Sequence, residues 1–204
     1  MGLLSSAVSI TRYTVKGELR EPVPEVIAEG LKKNAIKEID DDISEKAVGW
    51  TSFENPFKPD FEGSSFVIGT HLIFSLRIDK KVIPSKIIKK HFAIEMEKKL
   101  VESGRDHLSR NEKKQLKENV FTMLNRRALA TPNVYDLVWN KEEAGLWFFS
   151  NLKAANEELE TLFLKSFDLT LIRLFPYTIA DLMTGLSDAD RDVLSKLSPT
   201  KFTE

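Results

Sequence analysis

Residues 80–127 read KKVIPSKIIKKHFAIEMEKKLVESGRDHLSRNEKKQLKENVFTMLNRR, and this stretch decides the fold. Pro84 pre-sets the backbone for a helix that begins there, and Gly104 is suited to end it. Ser109 and Glu112 form a capping box at the start of a second helix. Apolar residues recur in that second helix at helical spacing: Leu116, Val120, Met123 and Leu124. The stretch therefore predicts an αα-hairpin that turns near Gly104.

The two predicted helices carry different side-chain patterns. A ragged apolar side on the first helix consists of Ile87, Ile88, Ile94 and Val101. A stripe on the second helix, rotated away from its apolar seam, consists of Arg110, Lys114, Lys117 and Phe121. We expect the apolar sides to pack together and the basic ridge to face outward, where its cations can reach phosphates.

The charge of the chain is concentrated in the same stretch. Residues 80–127 hold 14 Lys+Arg against 6 Asp+Glu, a net charge of +8, whereas the whole chain carries −1. Residues 1–79 carry −4 and residues 128–204 carry −5. A basic segment between acidic flanks is the electrostatic pattern of a polyanion-binding surface, although lysine-rich faces also occur on ordinary solvated helices.

Before the hairpin, the sequence predicts a strand, a helix and two paired strands. Apolar residues alternate approximately over residues 8–15, which favours an amphipathic strand. A helix is expected to open near Pro22 or Pro24, with glutamates early and lysines late. Residues 66–68 and 71–83 have the composition of paired strands.

After the hairpin, the sequence predicts two strands, a helix and a strand. Residues 134–139 and 146–149 indicate a β-hairpin, followed by a helix over about 151–166 and a strand over 169–175. Two capping pairs predict short terminal helices: Thr178 with Asp181, and Ser187 with Asp190.

Together these elements predict an α+β protein. Antiparallel sheets with packed helices would form a body of two related β/α halves, made by residues 1–79 and 128–204. Residues 80–127 would project from this body as a basic helical hairpin arm. A length of 204 residues suits one body with one appendage.

Composition excludes several classes of protein. The chain has no cysteine, which rules out disulfides and thiolate metal sites and favours a reducing compartment such as the cytoplasm. It has no Gly-rich phosphate loop and no G-x-S-x-G elbow. Its apolar runs are too short to span a bilayer, and no signal peptide opens the sequence. We expect no cofactor, no metal and no membrane partner.

One pattern permits an enzymatic alternative. Pro59-Asp60, followed at a distance by Asp79-Lys80-Lys81, loosely resembles the PD-(D/E)xK nucleases, in which carboxylates hold a divalent metal and a lysine assists the attacking water. Position 80 is lysine, where those nucleases place an apolar residue. The simpler interpretation assigns Asp60 to a loop and Asp79 to a strand-ending turn, so the prediction is that the protein is not an enzyme.

The aromatic residues also admit two interpretations. A first set could stack on unpaired bases or cover the core, and the second interpretation is favoured for Trp50, Phe53, Phe57 and Phe61. A second set is predicted to be core: Phe148, Phe149, Phe163, Phe167 and Phe175.

The order and spacing of several segments resemble the bacterial recombination-associated RdgC family. These segments are Gly49-Trp50, a strand leading into residues 82–88, residues 108–120 with Glu112 to Lys117, and residues 124–128. Arg12-Tyr13 and the hairpin from Val138-Trp139 to Phe149 resemble that family too. The likeness extends from the start of the chain to about Pro176.

This resemblance implies a function in DNA metabolism. Members of the family are dimers that close into a ring around duplex DNA, bind without sequence preference and restrain RecA-driven recombination. The resemblance implies that the arm is where two subunits meet. Typical members continue well past the position of Pro176, and the added portion supplies part of the ring and one dimer contact. The sequence is therefore expected to be a short form of the family, and whether two copies of it close into a ring is an open question.

We interpret the chain as a sequence-independent DNA-binding protein of the cytoplasm, nucleoid-associated and dimeric, that limits RecA-driven strand exchange by occupying DNA. The residues expected to contact phosphates are Lys86, Lys89, Lys90, Lys98, Lys99, Arg110, Lys113, Lys114, Lys117, Arg126 and Arg127. Two alternatives stay open: a metal-dependent nuclease that uses Asp60, Asp79 and Lys81, and a module whose arm binds an acidic protein or another copy of the chain.

Overall fold

Apart from β2 (Lys46–Thr51), which was not predicted, strands and helices follow the predicted order in the structure, a computed structural model that describes residues 2–63, 65–183 and 185–198. The elements are β1 Thr11–Lys16, α1 Val23–Lys33, β2 Lys46–Thr51, β3 Val67–Ile68, β4 His71–Lys80, α2 Ser85–Ser103, α3 Arg110–Arg127, β5 Thr131–Asn140, β6 Gly145–Phe148, α4 Lys153–Phe167, β7 Thr170–Leu174, α5 Pro176–Met183 and α6 Asp188–Lys196. The predicted α+β class is confirmed.

The seven strands form a single antiparallel sheet. Its order is β2-β4-β5-β6-β1-β7, with the short β3 paired to β4. β4 and β5 pair over their full length, from His71 opposite Asn140 to Lys80 opposite Thr131. The hairpin of α2 and α3 is therefore an insertion between two adjacent strands, and both of its ends leave the sheet side by side.

One face of the sheet carries the core. α1 and α4 pack on this face, where the fully buried side chains include Trp50, Phe74 and Trp139. Aromatic rings meet edge to face, with centroids 5.1 Å apart for Trp50 and Phe74 and 5.0 Å apart for Trp139 and Phe163. Such pairs add specific geometry to the burial of large apolar surfaces, so the aromatic cluster fixes how α4 lies on the sheet.

The structure corrects three details and confirms others. Phe175 is half exposed and stacks on Tyr177, because it follows the last residue of β7 and lies outside the core. α5 begins at Pro176, so Thr178 is its third residue and not the predicted N-cap; its hydroxyl accepts a hydrogen bond from the N–H of Phe175, the residue before the helix. The Ser187–Asp190 capping box is confirmed. Trp50 and Phe61 are buried, as the core interpretation predicted, but Phe57 is 63% exposed and contradicts it.

A test of the fold concerns Gly49 in β2. A Cβ atom at this position would lie 2.5 Å from the Ile36 Cα, a backbone atom that cannot rotate away. We expect Gly49→Ala to lower the free energy of unfolding by ~1–3 kcal/mol in urea denaturation. Gly145→Ala is the matched control, because its Cβ would meet nothing closer than 3.9 Å. Equal stability of both variants would contradict the close approach of Ile36 to β2.

Candidate nucleic-acid interface

The ends of the two arm helices are fixed by local sequence. α2 follows Pro84 and ends at Gly104, whose φ of 63° lies in the left-handed region that favours glycine. At the start of α3, the Glu112 N–H donates to Ser109 Oγ at 3.3 Å, and the Ser109 N–H donates to Glu112 Oε2 at 2.9 Å. The predicted capping box is confirmed, and the arm is an αα-hairpin of two helices.

The seam between the helices differs from the prediction on one side. α3 buries Leu116, Val120 and Leu124, as its spacing indicated. On α2 the half-buried apolar residues are Ile88, Phe92, Met96 and Leu100, a helical stripe facing its main packing partner α3. The predicted apolar side was therefore wrong except at Ile88, since Ile87, Ile94 and Val101 are exposed. These three residues recur every seven positions on another face of α2.

A buried lysine joins the base of the arm to the body. Lys81 is 7% exposed, and its ammonium donates to the carbonyl oxygens of Asp40 (3.0 Å), Asp42 (2.8 Å) and Asn125 (3.1 Å). Asn125 lies in the last turn of α3, where a cation also interacts favourably with the helix dipole. The Asn125 side chain donates to the Ile43 carbonyl in turn. The 40–43 loop therefore holds both ends of the arm.

Helical geometry places seven of the 14 cations of the arm on one side. α3 carries Arg110, Lys113, Lys114 and Lys117 at a spacing that shares one face, and α2 carries Lys86, Lys89 and Lys90 in the same way. Each set is rotated from the seam by about a quarter to a third of a turn. Because the helices run antiparallel, these rotations bring both sets to the same side of the hairpin. We call these seven residues the basic face.

The basic face is exposed and mostly free of carboxylates. All seven side chains are exposed. Lys114 lies 3.9 Å from Glu118, an exposed pair of the kind that contributes little to stability. For the other six cations, no acidic group of the described residues lies within 4.0 Å. Their charges are available to an anion from solution.

The remaining predicted contact residues lie elsewhere on the arm. Lys98 donates to Glu95 at 2.7 Å, and this hydrogen bond raises the pKa of Lys98. Lys99 is half-buried on the stripe of α2 that faces α3. Arg126 and Arg127 are exposed in the last turn of α3, but helical periodicity places them outside the side of α3 shared by Arg110, Lys113, Lys114 and Lys117. The structure thus brings seven of the eleven predicted residues onto one side and separates these four from them.

Two residues of the nuclease alternative, Asp79 and Lys81, are buried and hydrogen-bonded, whereas Asp60 is exposed in a loop. Asp79 is fully buried and accepts two hydrogen bonds from Arg77, at 2.8 and 2.7 Å. Arg77 also pairs with Glu38 at 3.0 Å. Lys81 is occupied by three carbonyls, and Asp60 accepts a hydrogen bond from the Glu62 N–H in a loop. Within residues 2–63, 65–183 and 185–198, no cluster of three or more His, Asp or Glu side chains could hold a metal.

Comparison with known families identifies the chain. A family model described as "Putative exonuclease, RdgC" matches residues 9–185. The chain belongs to the RdgC family. The RdgC match spans the whole sheet and the whole arm, so it includes both the core and the basic face. A search of the curated proteins found no match.

Sequence reasoning missed the residues that connect the RdgC arm to the sheet. Lys81 lies in a run of basic residues, and nothing in its local pattern separates a buried lysine from the exposed Lys80 beside it. Its partners are backbone carbonyls 39 to 44 positions away, which no local spacing reveals.

In the described part of the chain, no helix is both long and apolar enough to span a membrane.

The Lys81 anchor can be tested by substitution. Lys81→Met keeps an unbranched side chain but removes the donor to three carbonyls, so we expect a loss of roughly 2–4 kcal/mol in the free energy of unfolding. Lys80→Met is the control, since Lys80 is exposed. Urea denaturation monitored by circular dichroism measures both variants. An unchanged midpoint for Lys81→Met would rule out the anchoring role.

The capping box predicts a pH dependence. The hydrogen bond from Arg105 (2.7 Å), then that from the Ser109 N–H, lower the pKa of Glu112 from 4.5 to about 2. A depressed folded-state pKa gives stability that is complete above the unfolded pKa and is lost as the pH falls towards about 2. We expect Glu112→Gln to remove this part of the acid sensitivity. Urea midpoints compared between about pH 5 and pH 3 would measure it; identical pH profiles would contradict the pairing.

Proposed function

We propose that this RdgC family member binds DNA through the basic face of the arm, without reading sequence and without cleaving the strands. The observation that carries the proposal is the convergence of seven exposed cations on one side of the hairpin, six of them without an acidic neighbour among the described residues. A charge of +8 concentrated in one appendage of a protein with a net charge of −1 supports the proposal, because it creates a local positive potential that attracts anions.

Phosphates are the chemical group that such a surface fits. Lysine and arginine side chains on exposed helix faces reach phosphate oxygens, and these contacts position a protein without carrying sequence information. Arg110 and Lys117 are about 10 Å apart along α3, a distance that covers about three phosphates of one strand. Lys86 to Lys90 extend the same side towards the body, so the arm can follow a backbone along its length.

The biological part of the proposal is that bound protein limits RecA-driven recombination by occupying DNA. Membership in the RdgC family and the likeness described above support this step, as they support a dimeric assembly on the nucleoid. The family description names an exonuclease. The internal pairing of Asp79 and the carbonyl contacts of Lys81 favour binding over cleavage, because neither group is free to activate a metal-bound water.

Charge reversal on the basic face tests the proposal. We expect Lys113→Glu with Lys117→Glu to weaken binding to unrelated duplexes alike, by at least about tenfold, and to reduce the slope of log affinity against log salt by about two. Fluorescence anisotropy of labelled duplexes at several salt concentrations measures both quantities. The control, Lys153→Glu with Lys165→Glu, makes the same charge change at exposed positions of α4.

Four results would overturn the proposal. Equal weakening by both double variants would mean that net charge acts without a local site. Selective loss of one duplex sequence would indicate base readout. Shortening of an end-labelled duplex with magnesium or manganese, abolished by Asp60→Ala, would establish the nuclease instead. If the wild-type protein does not bind DNA but binds RecA, an acidic protein or another copy of the chain through the arm, the protein-interaction alternative is correct.

A further inference from the structure

The second face of the sheet holds an exposed tryptophan. Side chains alternate along a strand, so residues next to the core positions point to the face opposite α1 and α4. A cross-strand row on this second face runs through five strands in direct register: Leu174, Arg12, Trp147, Val138 and Ile73. Trp147 is 50% exposed in the middle of this row, whereas Trp50 and Trp139 are buried on the core face.

Unpaired cations lie beside this tryptophan. Arg12 is the direct cross-strand neighbour of Trp147, and Lys16 follows on the same face of β1, about 13 Å further along. Both side chains are exposed, and neither has a carboxylate within 4.0 Å among the described residues. The adjacent part of this face is covered, because the Leu3 N–H donates to Asp136. The Trp147 ring and the Arg12 and Lys16 side chains remain exposed to solvent.

A cleft opens on the other side of Trp147. Its volume is about 290 Å³, and its lining includes Trp147, Val138, Asn140, His71 and Gly145. Gly145 adds no side chain to the cleft. Asn140 accepts a hydrogen bond from the Glu143 N–H at 3.1 Å through its side-chain oxygen, so its amide N–H groups are the ones that could donate to a ligand. The cleft thus offers an aromatic wall and polar groups to a planar heterocycle.

We infer that this cleft binds one unpaired nucleotide of single-stranded nucleic acid, with the base against Trp147 and the phosphate at Arg12. Stacking on an exposed aromatic ring next to a cationic track is how single strands are held without sequence readout. Glu142 and Glu143 line the far rim of the cleft and would repel a phosphate there. Their charge orients the ligand, because it leaves the β1 side, with Arg12 and Lys16, as the place for the backbone.

This inference rests on the proposed function, because both concern binding to nucleic acid. It assigns a different surface of the protein, however, and a single strand instead of a duplex. The arm would hold the duplex backbone, and the sheet would hold a strand whose bases are unstacked. A duplex cannot use the cleft, since its bases face inward and are paired. The two sites can therefore fail separately.

Intrinsic fluorescence gives a site-specific readout. The chain has three tryptophans, of which Trp50 and Trp139 are 0% and 1% exposed. We expect a thymidine oligonucleotide to quench mainly the Trp147 emission and to protect it from acrylamide. We expect Trp147→Ala to weaken oligonucleotide binding about tenfold in anisotropy, a change of ~1.4 kcal/mol, and Trp147→Phe to retain most of it. Duplex binding should be unchanged in both variants.

The control variant is Phe57→Ala, which removes an exposed aromatic side chain from a loop away from the cleft. The inference is overturned if Phe57→Ala and Trp147→Ala weaken oligonucleotide binding equally, or if duplex binds while the oligonucleotide leaves Trp147 unquenched. It is also overturned if protection of Trp147 in the free protein grows with protein concentration, since a second copy would then cover this face. Loss of duplex binding with intact oligonucleotide quenching would remove the arm proposal alone.

Discussion

The contact on which the arm depends is the buried ammonium of Lys81. An ammonium withdrawn from water is costly unless its donors are satisfied, and here three carbonyl oxygens satisfy them. Two of those carbonyls belong to the 40–43 loop and the third to the end of α3. A single side chain therefore ties the start of the arm, its end and the body into one junction. The exposed cations further out on the arm can face solvent because this junction holds its base.

Charge is divided between the parts of the molecule in a way that suits an anion-binding appendage. The body pairs several of its cations with acids, as Arg77 does with Asp79 and Glu38 and Arg173 does with Glu160, although Arg12 and Lys16 have no such partner among the described residues. The arm has 14 Lys+Arg against 6 Asp+Glu, so most of its cations have no acidic partner among the described residues. Because exposed ion pairs are weak, their absence from the arm costs the fold little. It allows a chain with a net charge of −1 to carry a concentrated positive surface.

Sequence patterns predicted α3 better than α2, and the reason is physical. α3 has a capping box and buried residues at regular spacing, signals that lie within one element. α2 places apolar residues on two faces, and only contact with α3 selects the face of Phe92 and Leu100 over that of Ile94 and Val101. Likewise, the cations could be listed from the sequence, but their sorting into a shared side and an outlying group needed the helix pairing. Lys98 and Lys99 illustrate this, since one has an acidic partner and the other faces the seam.

The sequence by itself determined the order of elements except for β2, as well as the hairpin, its positive charge and the family, because caps, periodicity and composition are local properties of the chain. Tertiary structure alone decided that seven strands form one sheet, that Lys81 is an anchor, that Asp79 is held by Arg77, and that Trp147 is exposed where Trp139 is buried. Trp139 and Trp147 both lie in a predicted β-hairpin, and strand alternation says only that a residue points to one face or the other. Which face the helices cover depends on packing between distant segments, and local patterns do not encode it.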